Sequence, residues 1–280
     1  MEVRLAVEGA PGGGECEDYA FVAGGLVGVL DGATIPAGVE SGCVHSTGWY
    51  VRALAARLVN EHQASPVAPL AELLAGAISS VRGDHGGTCD LDHPGTPAAT
   101  VCLVREAGER LDYLVLCDSP LVLDLGDRVD IMNDERFSIV AADIRAAALV
   151  RGGVGTEVQA ERQQWSALQR QERVNQPGSY WIAAANPRAA AEAVVGDVSL
   201  QGEDRARRAV LLTDGASCAV DRFGIMDWPE LLAVVTNDGP AELIRRVRAF
   251  EQADRSGLAL PRYKQHDDAA VAVCLFNQEG

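Results

Sequence analysis

No two cysteines stand at C-x-x-C spacing, and Lys and Arg, 24 in all, are outnumbered by 40 Asp and Glu. Nor does any run approach the ~18 consecutive apolar residues of a membrane span. Each shortage removes a class of protein. The seven cysteines, at positions 16, 43, 89, 102, 117, 218 and 274, form neither a zinc ribbon nor a thioredoxin-like motif. Cys102, Cys117 and Cys274 lie in or beside apolar runs and read as small hydrophobes. A formal net charge of −16 argues against a phosphate-backbone partner, so no nucleic acid and no membrane are expected. The opening MEVRLAVEGAPGGG lacks a basic segment leading into an apolar one. A secretory signal is therefore not expected, and reduced thiols in a cytoplasmic protein are.

What the chain does have is 280 residues at 48% hydrophobic, enough for a sizeable core in a single domain spanning 1–280. Short apolar runs recur at 3–7, 19–23, 26–30, 99–104, 111–117, 121–125, 210–212 and 270–276, bounded by Gly, Asp or Pro, and predict strands. Gly24-Gly25 joins two of them as a hairpin, and Asp118-Ser119-Pro120 predicts a second hairpin between 111–117 and 121–125. Helical stripes are formed by Val44, Val51, Leu54 and Leu58, by Leu70, Leu74, Ala77 and Val81, and by Leu243, Val247 and Phe250 behind Pro240. Residues 83–97 read as a Gly- and Asp-rich loop, and the polar segment 151–177 as a surface helix or flap. The order of elements favours an α+β domain over a βαβ array.

Acids sit repeatedly where an apolar strand meets a loop. Glu17-Asp18 precede YAFV, Asp31-Gly32 follow LVGVL, Asp118 follows YLVLC, Asp214-Gly215 follow AVLLT, and Asp267-Asp268 precede AAVAVCLF. Singly, each is an ordinary turn or cap residue. Together at one sheet edge they would repel: two unit charges ~5 Å apart at an effective dielectric near 20 cost about 3 kcal/mol. Few basic residues stand near these motifs: Arg4, Arg128, Arg222 and Lys264. Clustered carboxylates without His or Cys call for Mg²⁺ or Mn²⁺. Two such ions suit phosphate-ester hydrolysis.

The order CED (16–18), LDG (30–32), PAAT (97–100), CDS (117–119), TDG (213–215) and HDD (266–268) resembles the metal-dependent Ser/Thr protein phosphatases of type 2C, a PPM-type family. The resemblance spreads over nearly the whole chain. It implies two stacked antiparallel β-sheets flanked by helix pairs, an αββα sandwich, with two metal ions and a possible third at one edge. It further implies that Asp31 bridges the ions, with Gly32 and Glu17 completing one and Asp214 and Asp267 holding the other. Asp118 would face a third ion, and Asp18 and Asp268 would orient waters. Apart from the resemblance, His266 adjoins Asp267 and is a candidate to support that ligand from behind. At the N-terminal motif Glu15, Glu17 and Asp18 compete for the ligand position. The segment PGSYWIAAANP would be a strand returning from the flap.

Two positions depart from the family. Gly13 stands where an Arg would fork onto the substrate phosphate, and Ala33 where some members carry a His. Arg4, Thr34, His45 or an Arg of the 151–177 flap are the candidates to rebuild recognition. The expected activity is a Mg/Mn-dependent phosphoric monoester hydrolase acting on phosphoserine or phosphothreonine in proteins. The alternatives are a phosphatase of a small phosphorylated metabolite and a non-catalytic binding module of the same fold. A haloacid-dehalogenase-type reading of VLDGAT fails, because Val29 occupies the place of the nucleophilic Asp.

Overall fold

The segment Leu26–Gly32 carries apolar residues on both pleats, so it has to be covered twice. In a computed structural model, which describes residues 1–150, 156–255, 260, 262 and 264–276, both faces are covered. Among the described residues the elements run β1 (Glu2–Glu8), β2 (Asp18–Ala23), β3 (Leu26–Gly32), α1 (Thr47–Ala64), α2 (Leu70–Asp84), β4 (Ala99–Ala107), β5 (Arg110–Leu116), β6 (Leu121–Asp124) and β7 (Val129–Met132). They continue with α3 (Arg136–Val150), α4 (Thr156–Gln171), a 3₁₀ turn at Pro187–Glu192, β8 (Val194–Ser199), β9 (Arg208–Leu212), α5 (Asp214–Asp221), α6 (Trp228–Asn237), α7 (Pro240–Ala253) and β10 (Ala269–Leu275). None of the helices described is long and apolar enough to cross a membrane.

The strands form two antiparallel five-stranded sheets, ordered β2-β3-β4-β5-β8 and β1-β10-β9-β6-β7. Alternation along each strand sorts its residues between two interfaces. On β3 and β4, Leu26, Leu30, Val101 and Leu103 face α1 and α2, where Leu54, Leu58, Leu74 and Ile78 cover them. Val27, Val29, Cys102 and Val104 face the other sheet and meet Leu211, Ala270, Ala272 and Cys274. The opposite pleat of β10, with Val271 and Val273, packs under α5, α6 and α7. The architecture is the αββα sandwich that the motif order implied.

Three local expectations fail. The hairpin expected between 111–117 and 121–125 does not form, because β5 already has β4 and β8 on its two edges while β6 pairs with β7 and β9 in the other sheet. Between them the chain turns at Cys117, whose φ of 67° breaks the extended run, and crosses from one sheet to the other. Val44 lies before α1 and is 77% exposed, so the stripe begins at Val51. Residues 177–187 run as irregular chain held by isolated bridges, Val174 to Tyr180 and Ala183 to Ala99, rather than as a strand. Of the expected surface helix or flap, residues 151–155 lie outside the described residues and 156–171 form the helix α4; just beyond it Arg173 pairs with Asp143 of α3.

The buried stripe has a measurable weight. Leu103, fully buried, should lose about 3 kcal/mol of stability as Leu103→Ala. Val44→Ala should stay within about 0.5 kcal/mol of the parent in the same urea titration, as expected of an exposed loop position.

Candidate metal centre

The antiparallel register of β2 and β3 sets Asp18 directly opposite Asp31 at one end of the first sheet. The Gly32 amide donates to the Glu17 carbonyl (3.1 Å) and closes that end. The second sheet delivers its acids through a paired corner: the Thr213 amide donates to the Ala270 carbonyl (3.1 Å), and the Ala270 amide donates to Thr213 Oγ1 (2.8 Å). That exchange brings Asp214, at the start of α5, beside Asp267, just before β10. The Asp214 amide comes within 3.4 Å of Asp31 Oδ2, so the two sheets meet here. Both Asp-Gly steps have a steric cause. A Cβ on Gly32 would lie 2.6 Å from the Glu17 carbonyl oxygen, and one on Gly215 would overlap the Asp268 carbonyl.

Asp118 arrives from the left-handed corner at Cys117. The Cys117 amide donates to Asp134 Oδ2 (3.2 Å), and the buried Asp134 is held in turn by Arg136 (2.8 Å). Sequence reasoning misses this Asp134–Arg136 pair, whose signal there is no more than an Asp-x-Arg spacing.

Burial raises the carboxyl of Asp31 well above the usual carboxylate range, and the charges of Asp18, Asp214, Asp267 and Asp118 raise it further. Asp18 is likewise raised by burial, against a partly compensating Thr213 hydroxyl, and then by Asp267, Asp214 and Asp268. Asp267 and Glu17 are raised by burial too, each opposed in part by Lys264. Two cations stand among these acids. Lys264 Nζ donates to Asp267 Oδ1 (2.8 Å) and to Thr34 Oγ1 (3.0 Å), and the Arg222 guanidinium pairs with Asp214.

The donor set fits a hard divalent cation. It consists of carboxylate oxygens whose charges exceed the two cations present, and Asp18 Oδ2 is buried without a hydrogen-bond partner. Asp31, Gly32, Asp118, Asp214 and Asp267 all line one cleft of about 440 Å³. Away from the acids the cleft has an apolar wall of Phe137, Ile144, Ala167, Val174, Tyr180 and Ile182, beside which Gln163, Ser166, Arg170 and Gln171 of α4 also line it. Gln164 and Gln171 of α4 donate to the Ala37 and Glu40 carbonyls, at 2.6 and 3.3 Å, and fasten that helix to the 34–42 loop.

Several expected residues do something else. Both oxygens of Asp268 accept a backbone hydrogen bond, from the Ala10 and Glu17 amides (2.7 Å each), so this carboxylate anchors the N-terminal loop. Glu17 accepts from Thr34 Oγ1 (2.6 Å), while its neighbour Asp18 faces the other acids. Glu15 lies apart, paired with Arg52 and Ser46 at the start of α1. His266 Nδ1 meets Glu251 (2.7 Å); Glu251 also pairs with Arg248, which donates to the Asp267 carbonyl (2.5 Å). The imidazole thus acts on the acids only through their backbone. Of the candidates for phosphate recognition, Thr34 and Arg170 line the cleft. Arg4 is turned to Glu2 and the Thr236 carbonyl, and His45 to Cys43 and Cys89.

These repulsions make a prediction about the metal-free protein. In EDTA, Asp31→Asn should be the more stable protein by about 1–3 kcal/mol at neutral pH, since it removes one of the crowded charges. A carboxyl whose folded pKa is raised begins to oppose folding above its unfolded value near 4, and the penalty levels off above the folded value. The advantage of Asp31→Asn in thermal melts should therefore vanish toward pH 4, grow as pH rises, and be abolished or reversed by Mn²⁺.

No protein-family profile matches the sequence. No curated protein matches it either. Solved structures do. The PPM Ser-Thr phosphatase MsPP from Mycobacterium smegmatis, crystallised with cacodylate, aligns over 99% of this chain and 99% of its own at TM-score 0.57 and 16% identity. The Mycobacterium tuberculosis serine/threonine phosphatase PstP/Ppp aligns over 99% of both chains at TM-score 0.59 and 16% identity; the PstP catalytic domain has also been solved with two manganese ions. Staphylococcus aureus serine/threonine phosphatase Stp1 aligns over 99% of this chain and 96% of its own at TM-score 0.60 and 8% identity. The fold of this chain is that of the PPM Ser/Thr phosphatases.

Proposed function

We propose that this chain is a Mg²⁺- or Mn²⁺-dependent phosphomonoesterase that hydrolyses phosphoserine and phosphothreonine in proteins. The observation that carries it is the gathering of Asp18, Asp31, Asp118, Asp214 and Asp267 from separate segments, where the other four all raise the pKa of Asp31. A structural role alone gives no reason to crowd like charges at the mouth of a cleft, since each added carboxylate makes its neighbours harder to ionise. The likeness in fold to Ser/Thr phosphatases, one of them solved with two manganese ions, supports the same reading.

Asp31 would bridge two ions, with Asp214 and Asp267 on one and the Gly32 carbonyl on the other. We assign Asp18 rather than Glu17 to complete the set, because its Oδ2 is buried and unpartnered. Asp118 would serve a third position. Two divalent ions bound there supply an acidified water and neutralise phosphoryl oxygens. The chain itself supplies the remaining positive charge. Arg222 and Lys264 line the cleft, and neighbouring carboxylates raise both pKa values against the lowering effect of burial, so both stay protonated. Arg222 offers the planar fork that Gly13 cannot. Ala33 cannot donate a proton, and among the described residues no histidine lines the cleft, so none of them offers the leaving oxygen an imidazole acid. A phosphorylated side chain bordered by apolar residues suits the far end of the cleft; a small phosphorylated metabolite is the competing substrate.

One observation favours a second reading. Asp214 and Asp267 already hold Arg222 and Lys264, which could take the place of metal in a non-catalytic binding module.

The expected result is hydrolysis of p-nitrophenyl phosphate with Mn²⁺ or Mg²⁺, none in EDTA, and a fall of about 100-fold or more in kcat for Asp31→Asn and Asp214→Asn. Turnover should be faster with aryl than with alkyl phosphates, for want of an acid at position 33. A protein that neither turns over nor binds Mn²⁺ by calorimetry, but binds it as Lys264→Ala, would be the binding module. Comparing kcat/KM for phosphopeptides and phosphorylated metabolites decides the substrate class.

A further inference from the structure

Away from the carboxylate cluster, the segment before α1 and the segment after α2 meet at a set of sulfur and nitrogen atoms. Cys43 Sγ lies 3.3 Å from Cys89 Sγ, and His45 Nδ1 lies 3.5 Å from each sulfur. These three residues form the one group of His, Cys, Asp and Glu among the described residues whose ligand atoms all fall within 4.8 Å of one another. A fourth nitrogen is close by. His85 is only 4% exposed; its Nδ1 is spent on the Val81 carbonyl (2.8 Å), and its Nε2 is buried with no partner. The His45 and His85 rings stand edge to face with centroids 5.0 Å apart.

We propose that Cys43, His45, His85 and Cys89 form a structural Zn²⁺ site that pins these two loops together.

The distances fit that ion. Zn–S bonds of about 2.3 Å and Zn–N bonds of about 2.0–2.1 Å at a tetrahedral angle place N and S about 3.5 Å apart and two sulfurs about 3.8 Å apart. Two imidazoles on one such ion have ring centroids about 5 Å apart. The sulfur pair is thus within about half an ångström of its bound spacing, and the two His45 nitrogen–sulfur separations already match. His85 stands further out than those three, and its Nε2 would have to move inward to complete the tetrahedron. A disulfide would need the sulfurs at about 2.05 Å. The surroundings also suit a metal site. The Val81 carbonyl accepts from His85 Nδ1–H, which fixes the tautomer and leaves Nε2 as the ligand. Trp49 stacks on His45 (centroids 4.1 Å) and meets His85 edge-on (4.9 Å), giving one apolar wall. Binding would release the two thiol protons.

The spacing Cys43-x-His45 … His85-x₃-Cys89 is not a ribbon or finger pattern, and the ligands come from segments on either side of the α1–α2 pair, which is why the cluster surfaces only in the fold. Its purpose follows from what the loops carry. They are irregular, joined here by the Asp90 amide on the Gly42 carbonyl (2.8 Å), and continue into Thr34, Ile35 and Pro36 on one side and Pro94, Gly95 and Thr96 on the other, all of which line the cleft. Such loops lack the core to set their own spacing, and a metal crosslink would set it.

The test uses Co²⁺ as an optical probe on the full chain, reduced and freed of metal. Wild type should develop a near-ultraviolet thiolate-to-cobalt charge-transfer band that grows with one bound equivalent, whatever cobalt the carboxylates also take up, and Zn²⁺ should abolish it. Asp31→Asn should keep the band, since carboxylate-bound cobalt has none, so the result does not depend on the phosphatase reading. Cys43→Ser and Cys89→Ser should lose it, and His85→Gln should weaken zinc binding by about tenfold or more. Absence of the band in wild type overturns the proposal without recourse to any variant. So does zinc affinity unmoved by Cys89→Ser, or a Cys43–Cys89 disulfide found by mass spectrometry in protein prepared without added oxidant, which would make the pair a redox couple.

Discussion

The arrangement depends on holding carboxylates together against their own repulsion. Asp18 and Asp31 are fixed face to face by strand register, Asp214 and Asp267 by the exchange between Thr213 and Ala270, and neither pair can move without breaking backbone hydrogen bonds of its sheet. The force that keeps the two pairs near each other is the apolar contact between sheets. There the small side chains of Ala270, Ala272 and Cys274 let β10 approach Val27, Val29 and Cys102 closely. The absent side chains of Gly32 and Gly215 remove the last steric obstacle. The electrostatic cost is borne by the whole sandwich rather than by the cleft, which is how a crowded polar site persists in a marginally stable molecule.

Around that core of charge, acids that look alike in sequence divide their work. Asp31 and Asp18 face the other carboxylates; Asp268, one residue from Asp267, is turned to two backbone amides; Asp134 is turned to the corner that aims Asp118. Carboxylates that bind amides hold their neighbours in place, so their loss would act through geometry rather than charge. The chain Glu251–Arg248–Asp267 carbonyl does the same from α7, with His266 as its outer partner.

Much of this is legible in the residues. Runs such as LVGVL and AAVAVCLF, short and bounded by Gly or Asp, read as strands, and the acids at their ends, in family order, point to the fold and to the set of acids. The failures trace to information that local pattern does not contain. Nothing in LDYLVLC states that both edges of that strand are taken, so the next strand in sequence reads as its neighbour in space when it belongs to the other sheet. The helix at Arg136–Val150, alanine-rich and without a polar stripe, has no strong period to read. Asp267 and Asp268 are indistinguishable as letters; only the backbone direction at the entry to β10 separates them. The Cys43–Cys89 contact requires knowing where two loops end.

The pairing of β1 with β10 joins Glu2 to Leu275 and continues in register to Glu8 and Ala269. A contact of that sequence separation is the slowest kind to close. It also means that during synthesis the acids at 17–18, 31, 118 and 214 leave the ribosome in turn, and wait. Asp267 and the strand behind it come last. No nascent chain shorter than that can assemble the centre, so the order of translation itself keeps the site from existing in a half-made molecule.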